Sequence, residues 1–547
     1  MILPILVAQT FHSVSPAYGD HAMVSSPEPL ATQIGVEILK KGGNAFDAAV
    51  AVNFAIAVTY PTAGNIGGGG FAVGMTSKGQ KFSLDFREVA PKKANRNMYL
   101  DKEGEVINGL STDSHLAVGV PGSVDGMVQL HEKYGKLKWS EVVEPAIRLA
   151  QDGFQVRGSL HDSLNASKGD LSRYESSKAV FFRDGEVIPE GAILRIPDLA
   201  RTLSEVKTKK RAGFYEGWVA DIIVADMKAN NGLITQEDLR DYRSKWREPI
   251  SVKGNGVELV TMPLPSSGGI TLGQTFGLLD WNFLKSQRQN SAEAIQHITE
   301  ALRLSYADRN HFLGDPDFVD VPVKKLLDPA YLAQRKKLMP RGKAGSSKEV
   351  DHGTPEHMET THFCIVDKDG NVCAVTTTLN GGYGIGAVVP GAGFIWNNEM
   401  DDFTSKPGSP NRYGLLQGEA NAIAPGKKML SSMTPSIFLK DGKFWMTAGS
   451  PGGPTIITTV LQVFLNTHLW DMDIQRAVDA PRFHHQHFPD NIRLEPGIES
   501  TTDLLKMGYE LDQRKAPWGQ ASAIMRLPNG KLSGGFDSRG DGLAAGY

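Results

Sequence analysis

The run EHMETTHFCIVDKDGNVCAVTTTLNGGY, residues 356–383, opens a strand-like segment on two hydroxyls and an imidazole, Thr360, Thr361 and His362. A threonine at a chain terminus carries both halves of a nucleophilic catalyst: its hydroxyl attacks, and its own α-amine takes the proton. Inside an intact chain that amine is tied up in a peptide bond. The chemistry therefore requires cleavage between Glu359 and Thr360, which the same hydroxyl can perform on the preceding carbonyl. Taken alone, Thr360 and Thr361 also read as ordinary β-branched strand residues. The preceding stretch RGKAGSSKEVDHGTPEHME (341–359) has almost nothing apolar to bury and reads as a solvated, mobile connection.

Other side chains have matching chemistry. Arg87, in LDFRE, is of the type that grips a carboxylate in bidentate fashion. Ser431 and Ser432, in LSSM, offer adjacent hydroxyls, and the acids of NNEMDDF (397–403) can hold an ammonium group. GSPGGPTII (449–457) is a glycine-rich turn leading into a helix, where backbone N–H groups converge and can stabilise an oxyanion. Singly, each has a plainer reading: a surface arginine, a turn, a solvated acidic face, a helix start. GNIGGGGF (64–71) lacks the strand–GxGxxG–helix context of a dinucleotide site and reads as tight glycine packing. HHQH (484–487) lacks metal-ligand spacing. No metal is expected.

The elements around these residues follow from periodicity. ATQIGVEILKKGG reads as a helix closing on Gly42-Gly43, and Asn44 with Asp47 starts a second helix, AFDAAVAVNFAIAV, apolar nearly all round and therefore central. KFSLDFREVAP (81–91) reads as strand, and 120–330 as largely helical with stops at LPSSGGI and GDPDF. After residue 359 the texture changes. HFCIVD and VCAVTTTL flank the turn Lys-Asp-Gly-Asn, SIFLKDGKFWMTAGS (436–450) repeats the pattern, and PTIITTVLQVFLNTHL reads as helix. Sheets covered by helices on their outer faces are the economical architecture.

Composition narrows the function class. The 547 residues are 40% hydrophobic and 22% charged, with 58 basic against 61 acidic residues and a net charge of −3, so there is no polyanion footprint and no nucleic-acid partner is expected. The two cysteines, Cys364 and Cys373, flank a hairpin turn; free buried thiols are the favoured reading over a bridge. MILPILVAQT at the start resembles the apolar core of a secretory signal without its positive flank, and AAVAVNFAIAV is too short to span a bilayer, so no membrane span is expected.

TTHFCIVDKDGNVCAVTTTLNGGYG closely resembles the small-subunit start of γ-glutamyltransferases, members of the N-terminal-nucleophile hydrolase superfamily. GGNAFDAAVA, GNIGGGGF, LDFRE, PSSGGI, GDPDF, NNEMDDF, LSSMTP, GSPGG and APRFHHQ are similar to family stretches and stand in family order, from about Ala22 to Tyr547. Cys364 departs from the Ser or Thr usual there. The resemblance implies an α/β fold, the four-layer αββα sandwich, and a precursor cut into a large subunit, 1–359, and a small catalytic subunit, 360–547, that stay together as a heterodimer. It implies Thr360 as the self-processing and catalytic nucleophile, oriented by Thr378, with Gly452 and Gly453 as the oxyanion hole. Arg87, Ser431 and Ser432 would hold the α-carboxylate of a γ-glutamyl donor, and Asn380, Glu399 and Asp402 its α-amino group. Thr361 would support the site, and Tyr413, in KPGSPNRYGLLQG (406–418), would gate it from a lid loop.

The implied reaction is γ-glutamyl transfer from glutathione, glutamine or related donors to water or to amino acid and peptide acceptors, without a cofactor, in a periplasmic or secreted setting. The nearest alternatives within the superfamily are a cephalosporin acylase and a γ-polyglutamate-processing enzyme; Arg87 with Ser431-Ser432 favours a donor with a free α-carboxylate. From another class, a silent binding protein that never self-cleaves would keep the pocket without the chemistry.

Overall fold

Local signals start the helices where the sequence anticipates them. In the structure, a computed structural model that describes residues 15–349, 360–406 and 418–547, Glu28 accepts the Ala31 N–H at 2.9 Å and Pro29 opens the helix Pro29–Lys40. Asn44 and Asp47 form a reciprocal capping box at the head of Ala45–Thr59. Every residue of that helix is buried, as its all-round apolar surface requires.

Two seven-stranded antiparallel sheets form the centre. The first runs Leu543–Gly546, Met23–Ser26, Thr361–Val366, Val372–Thr378, Gly69–Met75, Lys81–Asp85 and Lys245–Arg247. The second runs Ala17–Gly19, Leu532–Phe536, Ser522–Arg526, Lys443–Gly449, Ser436–Lys440, Val257–Thr261 and Ile250–Gly254. Strand alternation assigns the layers. Phe363 and Ile365 join the core beneath Pro29–Lys40 and Ala45–Thr59, whereas Cys364 and Val366 join the core shared with the second sheet, which Gly268–Leu278 and Thr455–His468 cover from outside. The result is helix, sheet, sheet, helix, the expected αββα sandwich.

Some expectations change. The strands Lys245–Arg247, Ile250–Gly254 and Val257–Thr261 lie in the region read as largely helical; they are short and at or beside sheet edges, so their signal is weak. LPSSGGI is a helix start as well as a break, since Gly268–Leu278 begins within it. The polar connection is pinned in part: Ala344 N–H donates to the Met507 carbonyl at 2.7 Å, Gly345 N–H to Glu300 Oε1 at 3.0 Å and Ser347 N–H to Asp490 Oδ2 at 2.7 Å. Residues 350–359, Tyr413 and the MILPILVAQT segment lie outside the described residues. Cys364 and Cys373 are free and buried on opposite faces of one sheet, which bars a bridge between them. Among the described residues no helix is long and apolar enough to cross a membrane.

Candidate active site

The hairpin that the sequence marks brings its two ends together. Thr361 pairs with Thr377 and His362 with Thr376, so Thr360 meets Thr378 across neighbouring strands, with hydroxyl oxygens 3.4 Å apart. Thr360, His362 and Cys364 share the parity that faces the second sheet; Cys364 Sγ lies 3.5 Å from Ser522 Oγ there. The Asn380 N–H donates to Thr378 Oγ1 at 2.8 Å, and Asn380 itself sits at φ 72°, where the chain turns away from the strand. Its side-chain amide donates to the Asn398 carbonyl at 3.0 Å, while Gly381 N–H donates to Asn398 Oδ1 at 2.8 Å. The loop after this hairpin is thereby bolted to the acidic segment.

That segment is the 3₁₀ turn Glu399–Asp402, and it meets Arg87, which follows Lys81–Asp85. Arg87 is fully buried and donates one Nη to Glu399 and the other to Asp402, with its Nε 3.4 Å from the Met429 carbonyl. The neighbouring Glu88 carboxylate stands 3.7 Å from Arg87 Nη1 and, like Glu399 Oε2, is buried without a hydrogen bond. Burial pushes Glu88 up to about 7 despite Arg87, and pushes Glu399 well above and Asp402 above the usual carboxylate range. Burial would depress the guanidinium, but Glu399, Asp402 and Glu88 carry it above its ordinary value.

Ser431 and Ser432 form the opposite wall. The Ser431 carbonyl accepts the N–H of Ser267 at 2.7 Å, and Ser431 N–H donates to the Pro265 carbonyl at 2.8 Å, which gives LPSSGGI its purpose. Arg309, buried on Ala292–Phe312, donates to Ser432 Oγ at 3.2 Å and to Ser267 Oγ at 3.1 Å. Past Lys443–Gly449 the chain turns through Gly452 (φ 133°) and Gly453 (φ 52°), backbone that side-chain-bearing residues rarely adopt, before Thr455–His468 starts. Their carbonyls start that helix, accepting from Thr455 and Ile456 at 3.0 Å; among the described residues neither N–H has an acceptor. One cavity joins these parts: Thr360, Thr378, Asn380, Arg87, Arg309, Glu399, Asp402, Ser431, Ser432 and Gly453 line it.

The family described as gamma-glutamyltranspeptidase matches residues 31–547. The chain belongs to the γ-glutamyltranspeptidase family. It is 45% identical over 543 residues to the glutathione hydrolase proenzyme of Escherichia coli K12, covering 98% of this chain and 93% of the relative. Among solved structures it is similar to the Helicobacter pylori γ-glutamyltranspeptidase, 43% identical with a TM-score of 0.57 over 59% of this chain and 93% of that one. It is also similar to a Bacillus halodurans cephalosporin acylase, 27% identical with a TM-score of 0.86 over 100% and 99% of the two chains.

In this γ-glutamyltranspeptidase-family chain most of the residues singled out in the sequence line one cavity, but not all. Thr361 is buried on the strand face opposite Thr360, and its hydroxyl has no hydrogen-bond partner, so it does not line the cavity. Gly452 adjoins the lining without being part of it. Glu88 and Arg309 were missed. Glu88 stands beside Arg87 in LDFRE, a signal that could have found it, whereas Arg309 reads as one charge among many on a long helix. Two of the three HHQH imidazoles are engaged otherwise: His484 with Thr458 Oγ1 at 2.9 Å and Gln486 Oε1 at 2.7 Å, His485 with Asp490 Oδ1 at 3.4 Å. Among the described residues no group of three potential ligands could hold a metal.

Proposed function

We propose that this chain is the precursor of a γ-glutamyltransferase that matures between Glu359 and Thr360. The Thr360 hydroxyl attacks the Glu359 carbonyl and forms an ester as the C–N bond breaks; water then hydrolyses the ester and leaves a free α-amine on Thr360. The products are a large subunit, 1–359, and a small one, 360–547, which share both central sheets and so remain a heterodimer. The observation that carries the reading is the Thr360–Thr378 contact at 3.4 Å in one cavity with the buried Arg87, Glu399 and Asp402 cluster.

In the mature enzyme the Thr360 amine accepts the hydroxyl proton as Oγ1 attacks the donor's γ-carbonyl. Thr378 orients that hydroxyl, and the N–H groups of Gly452 and Gly453 receive the oxyanion. The leaving amine takes the proton, and a γ-glutamyl ester remains on Thr360 for water or an acceptor amine. The donor's head group is a zwitterion, and the site is already an internal ion pair. Its ammonium group replaces Arg87 at Glu399 and Asp402, with Asn380 assisting, while its carboxylate replaces those acids at Arg87, with Ser431 and Ser432 assisting. Charge is exchanged like for like, which limits the desolvation cost of binding. This α-carboxylate requirement favours γ-glutamyl donors such as glutathione and glutamine over acylase substrates.

The apolar MILPILVAQT segment supports a periplasmic or secreted location, which fractionation tests. The decisive experiment is the denaturing mass of the wild type beside Thr360→Ala, with a γ-glutamyl anilide assay. Two fragments, the second beginning at Thr360, and anilide release in the wild type alone are expected. A stable single wild-type chain without turnover would instead establish the silent binding protein.

A further inference from the structure

Two buried guanidinium groups, Arg87 and Arg309, line the cavity around Thr360 among the described residues. An amino acid head group carries one carboxylate, which Arg87 answers, so the second cation calls for a task of its own. Arg309 stands near the end of the helix Ala292–Phe312, and each of its nitrogens donates to a different group. Nε donates to Ser267 Oγ at 3.1 Å, Nη1 to Asn310 Oδ1 at 3.0 Å and Nη2 to Ser432 Oγ at 3.2 Å. Ser267 in turn donates its hydroxyl proton to the Ser431 carbonyl at 2.8 Å and its N–H to the same oxygen at 2.7 Å. One guanidinium therefore holds both members of the serine pair, Ser432 directly and Ser431 through Ser267. Tyr306, three residues earlier on the same helix, donates its hydroxyl to the Pro454 carbonyl at 2.6 Å, just past Gly452 and Gly453. The helix thus fixes the serine wall relative to the glycine turn.

The hydrogen bonds also decide what the two serines can offer a ligand. A hydroxyl has one proton and two lone pairs, so its role depends on what its neighbours already supply. Ser432 Oγ accepts from Arg309, and Ser431 Oγ accepts the Met433 N–H at 3.2 Å. Among the described residues each of these hydroxyls only accepts, which leaves both protons to a ligand. Together with Arg87 the pair forms a wall of donors. A carboxylate, which accepts at both oxygens, satisfies such a wall. A carboxamide turns an NH₂ group against it, and a buried donor left facing a donor is costly.

We propose that Arg309 is a positioning residue that sets donor specificity: by donating to Ser432 Oγ it commits the Ser432 proton to the α-carboxylate, and so makes the pocket reject donors in which that carboxylate is an amide. The proposal rests on the γ-glutamyl transfer reading above. Arg309 acts through Ser432 and takes no part in the bond changes at Thr360.

The test uses the mature enzyme with two donors, a γ-glutamyl anilide and the same anilide with its α-carboxylate converted to a carboxamide. It reads the ratio of kcat/KM between them, which in the wild type should favour the free acid. Arg309→Met, which keeps the buried stem, should contract that ratio about tenfold, chiefly through a higher KM for the free acid. Ser432→Ala should contract it as well. In that background Arg309→Met should add less than about twofold, because the hydroxyl that Arg309 commits is gone. Arg309→Lys should contract the ratio about threefold, since one ammonium cannot serve Ser267, Asn310 and Ser432 together, and it carries the same cycle if the Met variant fails to mature. An unchanged ratio, equal losses for both donors, or a full contraction in the Ser432→Ala background would each overturn the proposal. Wild-type enzyme that cleaves both anilides alike would overturn the α-carboxylate clamp and this proposal with it, whereas wild-type enzyme that releases no anilide at all would overturn the transfer reading itself.

Discussion

The hydroxyl oxygens of Thr360 and Thr378 lie 3.4 Å apart, and the hydroxyl of Thr378 also accepts the Asn380 N–H at 2.8 Å. With that lone pair occupied, the Thr378 proton is free to point at Thr360 Oγ1 and fix one of its lone pairs. Thr378→Val, which keeps the strand shape and deletes the hydroxyl, should slow both maturation and anilide turnover by about 10²-fold, the lower end of what a positioned proton-handling group supplies. Thr378→Ser should retain most of both. The check is a time course of precursor cleavage on denaturing gels beside single-turnover kinetics; a Val variant with wild-type rates would remove Thr378 from the mechanism.

How far the sequence discloses this arrangement depends on the range of the interaction. The Asn44–Asp47 capping box, the Asp-Gly hairpins and the apolar helix Ala45–Thr59 are local and legible. The hairpin of Thr361–Val366 and Val372–Thr378 is legible too, because its register follows from the turn. The mutual grip of Arg87, Glu399 and Asp402 is not, since nothing in LDFRE or NNEMDDF says that the cation and the acids, assigned to opposite ends of a ligand, would hold each other when none is bound. Thr361 was misplaced because adjacent strand residues face opposite ways. Arg309 had no local signature, because its role comes from the helix Ala292–Phe312 passing behind Ser432.

Glu88 gives the site a pH dependence. Its carboxyl is fully buried without hydrogen bonds and titrates at about 7, against an ordinary 4.5. A folded-state pKa above the unfolded one means that the folded protein holds the proton more tightly. The contribution is therefore fully present below about pH 4.5 and is lost as pH rises toward 7. Glu88→Gln, neutral throughout, should remove that component. Denaturant midpoints across pH 5 to 8 should fall less steeply with pH in the variant than in the wild type; parallel curves would show that Glu88 titrates normally.

The two cysteines should be invisible to thiol reagents in the native state. Both are buried, and burial pushes the Cys364 thiol up to about 12 and the Cys373 thiol higher still, so almost no thiolate exists at neutral pH. A chromogenic disulfide reagent at pH 8 should label no thiol in native protein and two after unfolding, without added reductant. Rapid labelling of the folded form, or fewer than two thiols after unfolding, would contradict the buried, unbridged geometry.

Arg87 should matter for stability as well as for donor binding. Its guanidinium is the cation shared by Glu399 and Asp402, with Glu88 3.7 Å away, and all are buried. Removing one partner of such a buried group leaves uncompensated charge, which costs about 3–5 kcal/mol. Arg87→Gln should therefore lower the melting temperature clearly in ligand-free protein, while a change acting only on substrate contacts would not. The cost should also depend on pH. Glu88 is displaced upward to about 7, so at pH 5 it takes up its proton and relieves the repulsion, whereas at pH 8 it is forced to carry charge; Glu399 and Asp402 are displaced in the same direction. The gap in melting temperature between wild type and Arg87→Gln should accordingly widen from pH 5 to pH 8. Arg87→Lys should narrow it, since a single ammonium restores the charge, yet donor KM should stay high because the ammonium lacks the planar fork that reaches two carboxylates. A gap that is absent, or constant across this pH range, would mean that the acids are neutralised from elsewhere and that Arg87 serves the ligand alone.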